Sequence, residues 1–172
     1  MFYLVRHGEA DYSNNGTKIF QNYGINFAPL TAKGREQLKN TAKDTRLANA
    51  DLIVASPLTR AMQSAAILSK ELQIDLLVDP DIFEWVADKN FIQVSEEIAG
   101  PRFEEYYSCG GVWPDDGVER HWESNELLKE RLTRALKRYK DYKNVIVVCH
   151  GMLMGCVQGG YIDNGQIVEY QL

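Results

Sequence analysis

The chain has 172 residues, 45% of them hydrophobic and 25% charged, with a formal net charge of -5. That length suits one domain with a full core, and the acidic balance argues against a sequence-independent nucleic-acid binder, which needs a basic field. No stretch approaches the roughly 20 apolar residues that span a bilayer, Arg6 and His7 arrive too early for a signal peptide, and Cys109, Cys149 and Cys156 lack CxxC spacing, so a cytoplasmic protein in a reduced compartment is expected.

"MFYLV" at 1–5 reads as a short buried strand, followed by loop material rich in Asn, Gly and Tyr up to Pro29. Thr31 is placed to cap a polar helix running to about Ala48, and "DLIVAS" at 51–56 reads as a second buried strand. Ser56 then caps a helix with Pro57 in its first turn and a core stripe of Ala61, Ala65, Leu68 and Leu72. "IDLLV" at 74–78 is a third strand, and the stretch 83–122 is irregular, with a helix near 93–107. An amphipathic helix at about 124–140 turns Leu128, Leu132, Leu136 and Tyr139 inward. "NVIVVCH" at 144–150 is a fourth strand, a short helix follows Gly151, and "GQIVEYQL" at 165–172 closes as an edge strand. Apolar strands alternating with helices predict an α/β fold, a three-layer α/β/α sandwich around a mostly parallel sheet.

The first strand runs into Arg6 and His7, the second leads through Ser56 to Arg60, and the fourth ends in His150. Ligands of open parallel sheets bind beyond the carboxyl ends of the strands. If these strands are parallel neighbours, two arginines and two histidines meet there, and the helix near Pro57 adds N–H groups and its positive dipole end. Such a donor set suits a phosphoryl group. Taken singly, Arg60 also reads as a surface helix residue and each histidine as a structural strand end; two His-Gly pairs, each closing an apolar strand, favour a site.

Other chemistries fit less well. His7, His150 and Glu84 could form a two-histidine, one-carboxylate metal site, but Arg6 and Arg60 would repel a divalent ion, so no metal and no cofactor are expected. Cysteine phosphatase chemistry needs Cys-x5-Arg, and the residues six beyond the cysteines are Asp115, Gly155 and Ile162. "LLVDPDIF" at 76–83 carries Phe83 where the Asp-x-Asp motif of magnesium-dependent aspartyl phosphatases wants Thr or Val, and reads as a strand exit and turn. No Gly-x-Ser-x-Gly elbow or Walker loop occurs.

"LVRHGEA" at 4–10 resembles the Arg-His-Gly signature of the histidine phosphatase superfamily, in its phosphoglycerate mutase-like branch. The likeness continues through "PLTAKG" at 29–34, "ASPLTRAMQSA" at 55–65, "DIFEW" at 81–85, "ESNELLKER" at 123–131 and "VVCHG" at 147–151, in the family's order. It implies a phosphoglycerate mutase-like fold over 1–172 as one domain, with a lid-like insert at about 86–120. It implies His7 as the phosphorylated nucleophile, Glu84 as proton donor, and Arg6, Arg60, His150 and Gly151 as the phosphate pocket. The sequence departs from the family where Asn is common six residues after the nucleophile: Ser13 stands there, with Asn14 next, and either is a candidate phosphate donor. Cys149 replaces the usual Ser or Thr before the second histidine. Glu9 is expected to support the pocket through hydrogen bonds to its basic residues, and Gly8 to give the backbone room beside the anion.

The implied chemistry is in-line attack by neutral His7, with the cations stabilising the equatorial oxygens and Glu84 protonating the leaving alkoxide. A phosphomonoester hydrolase is expected over a mutase, because a mutase must hold a bisphosphorylated intermediate and the chain ends soon after its last strand. A non-catalytic phospho-ligand binding module is the third reading. The partner expected is a small phosphorylated substrate or inorganic phosphate, with no nucleic acid and no membrane. Within the insert, Arg102, Tyr106, Tyr107, Trp113, Arg120, His121 and Trp122 either cover a substrate's organic group or pack the insert on the sheet.

Overall fold

The computed structural model describes residues 1–13 and 23–172. Strands β1 (Phe2–Arg6), β2 (Leu52–Ala55), β3 (Leu76–Val78), β4 (Val145–Cys149) and β5 (Ile167–Tyr170) form one sheet in the order β3-β2-β4-β1-β5. The first four are mutually parallel, and β5 runs antiparallel on the β1 edge. The central strand β4 is apolar throughout, as a strand buried on both faces must be. Alternate side chains go to opposite faces. Val145, Val147 and Cys149 join one core cluster, and Ile146 and Val148 join the other.

Helices cover both faces. On one side lie α2 (Ala32–Thr41) and α3 (Thr59–Leu72), through Leu38 and through Ala61, Ala65 and Leu68. On the other lie α5 (Asn125–Lys137) and α6 (Gly151–Gln158), through Leu128, Leu132 and Leu136 and through Leu153 and Met154. Between β3 and α5, α4 (Glu96–Ser108) contributes Tyr106 to that second core, beside Trp122. A four-residue helix, α1 (Gly24–Phe27), precedes α2. The three-layer α/β/α sandwich is the architecture expected from the sequence.

Two boundaries differ from expectation. Helix α2 starts at the predicted cap, where Thr31 Oγ1 accepts the Gly34 N–H at 2.9 Å, but it ends at Thr41. A 3-10 turn follows (Thr45–Leu47), started by Asp44 accepting the Arg46 N–H, so a second cap residue interrupts what the polar run suggested was one helix. Helix α3 begins at Thr59 with Leu58 at the cap position, so Ser56 and Pro57 lie before it. The Ser56 hydroxyl instead meets His150 Nε2 at 2.7 Å.

Gly8 also has a different role from the one expected. A Cβ there would fall 2.4 Å from the Gly34 carbonyl oxygen, and one on Gly34 would fall 2.1 Å from the Glu9 carbonyl oxygen. The two glycines therefore let α2 press its first turns against the segment leaving β1. Gly34→Ala should destabilise the fold by about 1–3 kcal/mol by overpacking, despite alanine's better helix propensity. Urea unfolding measures this, and an unchanged or raised midpoint would contradict the packing account.

Candidate active site

The parallel register fixes where the polar residues converge. Arg6 pairs with Cys149 and Ala55 with Val148, so β1, β2 and β4 end side by side. The ladder continues one residue further, with His7 N–H donating to the Cys149 carbonyl and Ser56 N–H to the Val148 carbonyl, both at 3.0 Å. Arg6, His7, Ser56 and His150 thus leave the sheet at the same edge, and Arg60 joins them from the first turn of α3.

The His7 backbone is held from three sides. Besides the bond to Cys149, its carbonyl accepts from Asn164 Nδ2 at 2.8 Å, and the next N–H, of Gly8, donates to Ser64 Oγ at 3.1 Å. Ser64 in turn donates to the Arg60 carbonyl at 2.7 Å, linking the nucleophile candidate to α3. The His7 ring is buried, and its Nδ1 donates to the Gly8 carbonyl at 2.7 Å. That bond assigns the ring proton to Nδ1 and leaves the Nε2 lone pair pointing away from it. Nε2 accepts from Arg60 Nε at 3.2 Å. Burial, then the Arg60 guanidinium, pull the His7 pKa down to about 3, with Arg6 adding to this and the Gly8 hydrogen bond opposing it.

His150 stands 5.2 Å from His7 between ring centroids, at 61°. It is wholly buried and kept neutral, first by desolvation and then by Arg60, its pKa lying well below the ordinary histidine value. Ser56 Oγ accepts the Leu58 N–H at 3.3 Å and pairs with His150 Nε2 at 2.7 Å. His150 Nδ1 and Arg6 Nε are both buried without a hydrogen-bond partner among the described residues. Unpaired buried polar atoms are costly, and Arg6 Nε is a donor that an anion would satisfy. Arg6 is steadied by donating through Nη1 to the Ile162 carbonyl and by lying 5.3 Å over the Tyr161 ring. Gly151, the first residue of α6, leaves space for this guanidinium, since a Cβ there would lie 3.2 Å from Arg6 Nε.

Glu84, on the segment after the 3-10 turn Pro80–Ile82, lines a cavity that Arg6, Arg60 and Gly151 also line, with His7 and His150 buried outside its lining. Its carboxylate accepts from the N–H groups of Trp85 (2.9 Å), Leu153 (3.2 Å) and Met152 (3.4 Å), so it rests on the N-terminus of α6. Burial raises its pKa, and this outweighs the lowering by those N–H groups and by Arg60. The backbone that carries it is clamped by Arg131, which donates to the carbonyls of Asp81 (2.9 Å), Phe83 (2.7 Å) and Glu84 (3.3 Å) while pairing bidentately with buried Glu123. In the sequence, "ESNELLKER" at 123–131 carries an apolar helical stripe, and no local pattern marks Arg131 as buried.

The structure therefore brings together Arg6, His7, Arg60, Glu84, His150 and Gly151. Ser13 is exposed, with its N–H donating to Asp11 Oδ1 at 2.9 Å, and it is not among the residues lining the cavity. Its neighbour Tyr12 is, with Arg60 lying 5.8 Å over its ring. Asn14 lies outside the described residues. Glu9 corrects the expectation that it supports the basic residues: its carboxylate accepts from Thr31 Oγ1 at 2.9 Å and Lys33 Nζ at 2.7 Å, so it fastens the start of α2. Among the described residues no group of three or more His, Cys, Asp or Glu is arranged to hold a metal ion.

The family model described as the histidine phosphatase superfamily (branch 1) matches residues 2–166. A relative named "Probable phosphoglycerate mutase GpmB", from Enterobacter sp. (strain 638), is 31% identical over 162 residues, covering 90% of this chain and 71% of its own. Its namesake in Proteus mirabilis is 29% identical with the same coverage. Among solved structures, the native mycobacterial glucosyl-3-phosphoglycerate phosphatase superposes with a TM-score of 0.67 at 19% identity, over 96% of this chain and 87% of that one. The alpha-ribazole phosphatase of Shigella flexneri gives 0.61 at 22%, with the same coverage. These two likenesses show the shared fold.

The electrostatics of the two imidazoles can be read in solution. The unfolded chain takes up these protons near 6.5, whereas folded His7 does so only near 3, so stability falls as pH drops below about 6.5. In ring-nitrogen NMR, His7 should appear as a neutral Nδ1–H tautomer, and neither His7 nor His150 should titrate between pH 5 and 8. A His7 resonance titrating near 6.5 would contradict the assignment.

Proposed function

This chain belongs to the histidine phosphatase superfamily, branch 1, and from that premise we propose that it is a metal-independent phosphomonoester hydrolase working through a phosphohistidine on His7. We read 1–172 as one such domain, with the 86–120 insert bordering its site. The observation that carries the proposal is the pair of buried, unpartnered polar atoms, Arg6 Nε and His150 Nδ1, beside a neutral imidazole whose Nε2 lone pair is directed at Arg60. An incoming phosphoryl group takes the donors of Arg6, Arg60 and His150. In doing so it draws Arg60 Nε off the lone pair.

His7 Nε2 then attacks phosphorus in line, the bond from phosphorus to the leaving oxygen breaks, and that oxygen takes a proton from Glu84. In the second half, water attacks the phosphohistidine, Glu84 accepts its proton, and orthophosphate leaves as the N–P bond breaks. The raised pKa of Glu84 suits the first step, and the developing charge on the equatorial oxygens is met by cations already in place.

A second reading, phosphoglycerate mutase-type phosphoryl transfer, is favoured by the names of the relatives. It uses the same nucleophile and differs in the acceptor, an alcohol in place of water. Release of orthophosphate from a monoester in the presence of chelator, without formation of a bisphosphate, supports hydrolysis; transfer to a phosphoglycerate in preference to water supports the mutase. Tight phosphate binding with no turnover of any ester would support a non-catalytic binding module instead.

The role of Glu84 has its own signature. Glu84→Gln should lower kcat/KM for an alkyl phosphate by roughly 10²–10⁴, and far less for p-nitrophenyl phosphate, whose leaving group needs no proton. Equal losses for the two esters would remove Glu84 from the acid's role. Arg60→Ala should cost both esters about 10²–10³.

A further inference from the structure

The candidate phosphate site lies in a cavity of about 940 Å³, near the top of the roughly 300–1,000 Å³ usual for small-molecule sites and far more than a phosphoryl group fills. Much of the remaining wall is aromatic. Trp85 meets Phe103 edge-on with ring centroids 5.7 Å apart, Phe103 meets Tyr107 at 4.7 Å, and Trp85 meets Tyr106 at 5.5 Å. All four line the cavity.

Two polar atoms of this wall are turned into the protein. Trp85 Nε1 donates to the Glu123 carbonyl at 2.8 Å, and the Tyr106 hydroxyl donates to Asn125 Oδ1 at 2.5 Å. Phe91 adds to the wall from a left-handed backbone (φ 60°) while remaining 52% exposed. A bulky residue rarely adopts that conformation, and such strain collects at ligand sites. Large exposed aromatics gathered at one cavity mark a binding surface.

Charge is distributed unevenly. Among the described residues lining the cavity, the cations are Arg6, at the end of β1, and Arg60, in the first turn of α3, and the anions are Glu84 and Glu96. A second phosphoryl or carboxylate group beyond the first would find no further described cation.

We propose that the substrate's organic group is an uncharged, ring-bearing apolar alcohol, packed on Trp85, Phe103 and Tyr107 while its phosphoryl group lies on Arg6 and Arg60. This rests on the hydrolase reading above for the placement of the phosphoryl group. It deepens that reading by naming the leaving group's chemistry. Flat aromatic faces favour a ring, through edge and stacking contacts beyond area burial alone.

The test compares three phosphonates by calorimetry on the full chain: propylphosphonate, 3-phenylpropylphosphonate and 3-phosphonopropionate. The phenyl compound should bind at least about tenfold more tightly than the propyl one, and the carboxylate-bearing one more weakly than either. Phe103→Ala and Tyr107→Ala, both at exposed positions, should each narrow the phenyl-to-propyl ratio. Equal affinities, or tightest binding of the carboxylate, would overturn the proposal.

Turnover of the corresponding phosphate esters separates the two readings. A phenyl preference in binding with no ester hydrolysed supports the cavity assignment and overturns the hydrolase. Hydrolysis of all esters without a phenyl preference in binding overturns the cavity assignment alone, and failure of every phosphonate to bind overturns both.

Discussion

The hydrogen bond from His7 N–H to the Cys149 carbonyl extends the β1–β4 ladder one residue past the end of β1, and the site's geometry depends on it. Because β1, β4 and β2 are parallel and in register, the residues that follow them must emerge at one edge of the sheet. His7, His150 and Ser56 are therefore placed by backbone pairing, before any side chain makes a choice. The side-chain bonds from Asn164 to the His7 carbonyl and from Gly8 N–H to Ser64 then remove the freedom that remains. A nucleophile carried on a strand exit is positioned more tightly than one on a free loop.

The electrostatic arrangement follows from placing cations and imidazoles together in a buried edge. Burial and the two arginines keep both histidines neutral, which is the state a nitrogen nucleophile requires. The same burial acts in the opposite direction on Glu84, keeping it protonated to a higher pH than a solvated carboxyl. In the proposed mechanism these opposite shifts give His7 the role of nucleophile and Glu84 that of acid. Arg131 contributes from further out, since its three carbonyl contacts fix the segment from which Glu84 projects.

The sequence made the sheet legible because β4 is apolar over five consecutive residues and its neighbours alternate with helical stripes; the order of elements and the residues at the strand exits followed from that. Helix boundaries were less legible. Ser56-Pro57 has the residue types of a helix start, yet the Ser56 hydroxyl is used by His150, a partner 94 residues away that no local pattern reveals. Glu9 drew attention by adjacency to the Arg-His-Gly run, but it lies beyond the end of β1, where the chain passes the first turn of α2, and its carboxylate meets Thr31 and Lys33. Asn164 and Ser64 act through backbone atoms of the 7–8 segment, and their residue types carry no signal for that. The insert aromatics divide between both readings: Trp122 and Tyr106 are buried in the core, while Tyr107 is exposed beside the cavity.

The central claim is that His7 Nε2 forms a covalent bond to phosphorus. Rapid mixing with a labelled phosphomonoester, followed by quenching in alkali, traps that bond directly, because a phosphohistidine survives base and is lost in acid. The account predicts a base-stable, acid-labile phosphoenzyme whose label maps to the peptide containing His7 and disappears in His7→Ala. Steady turnover by wild-type protein with no such intermediate, or a label that persists in His7→Ala, would contradict it.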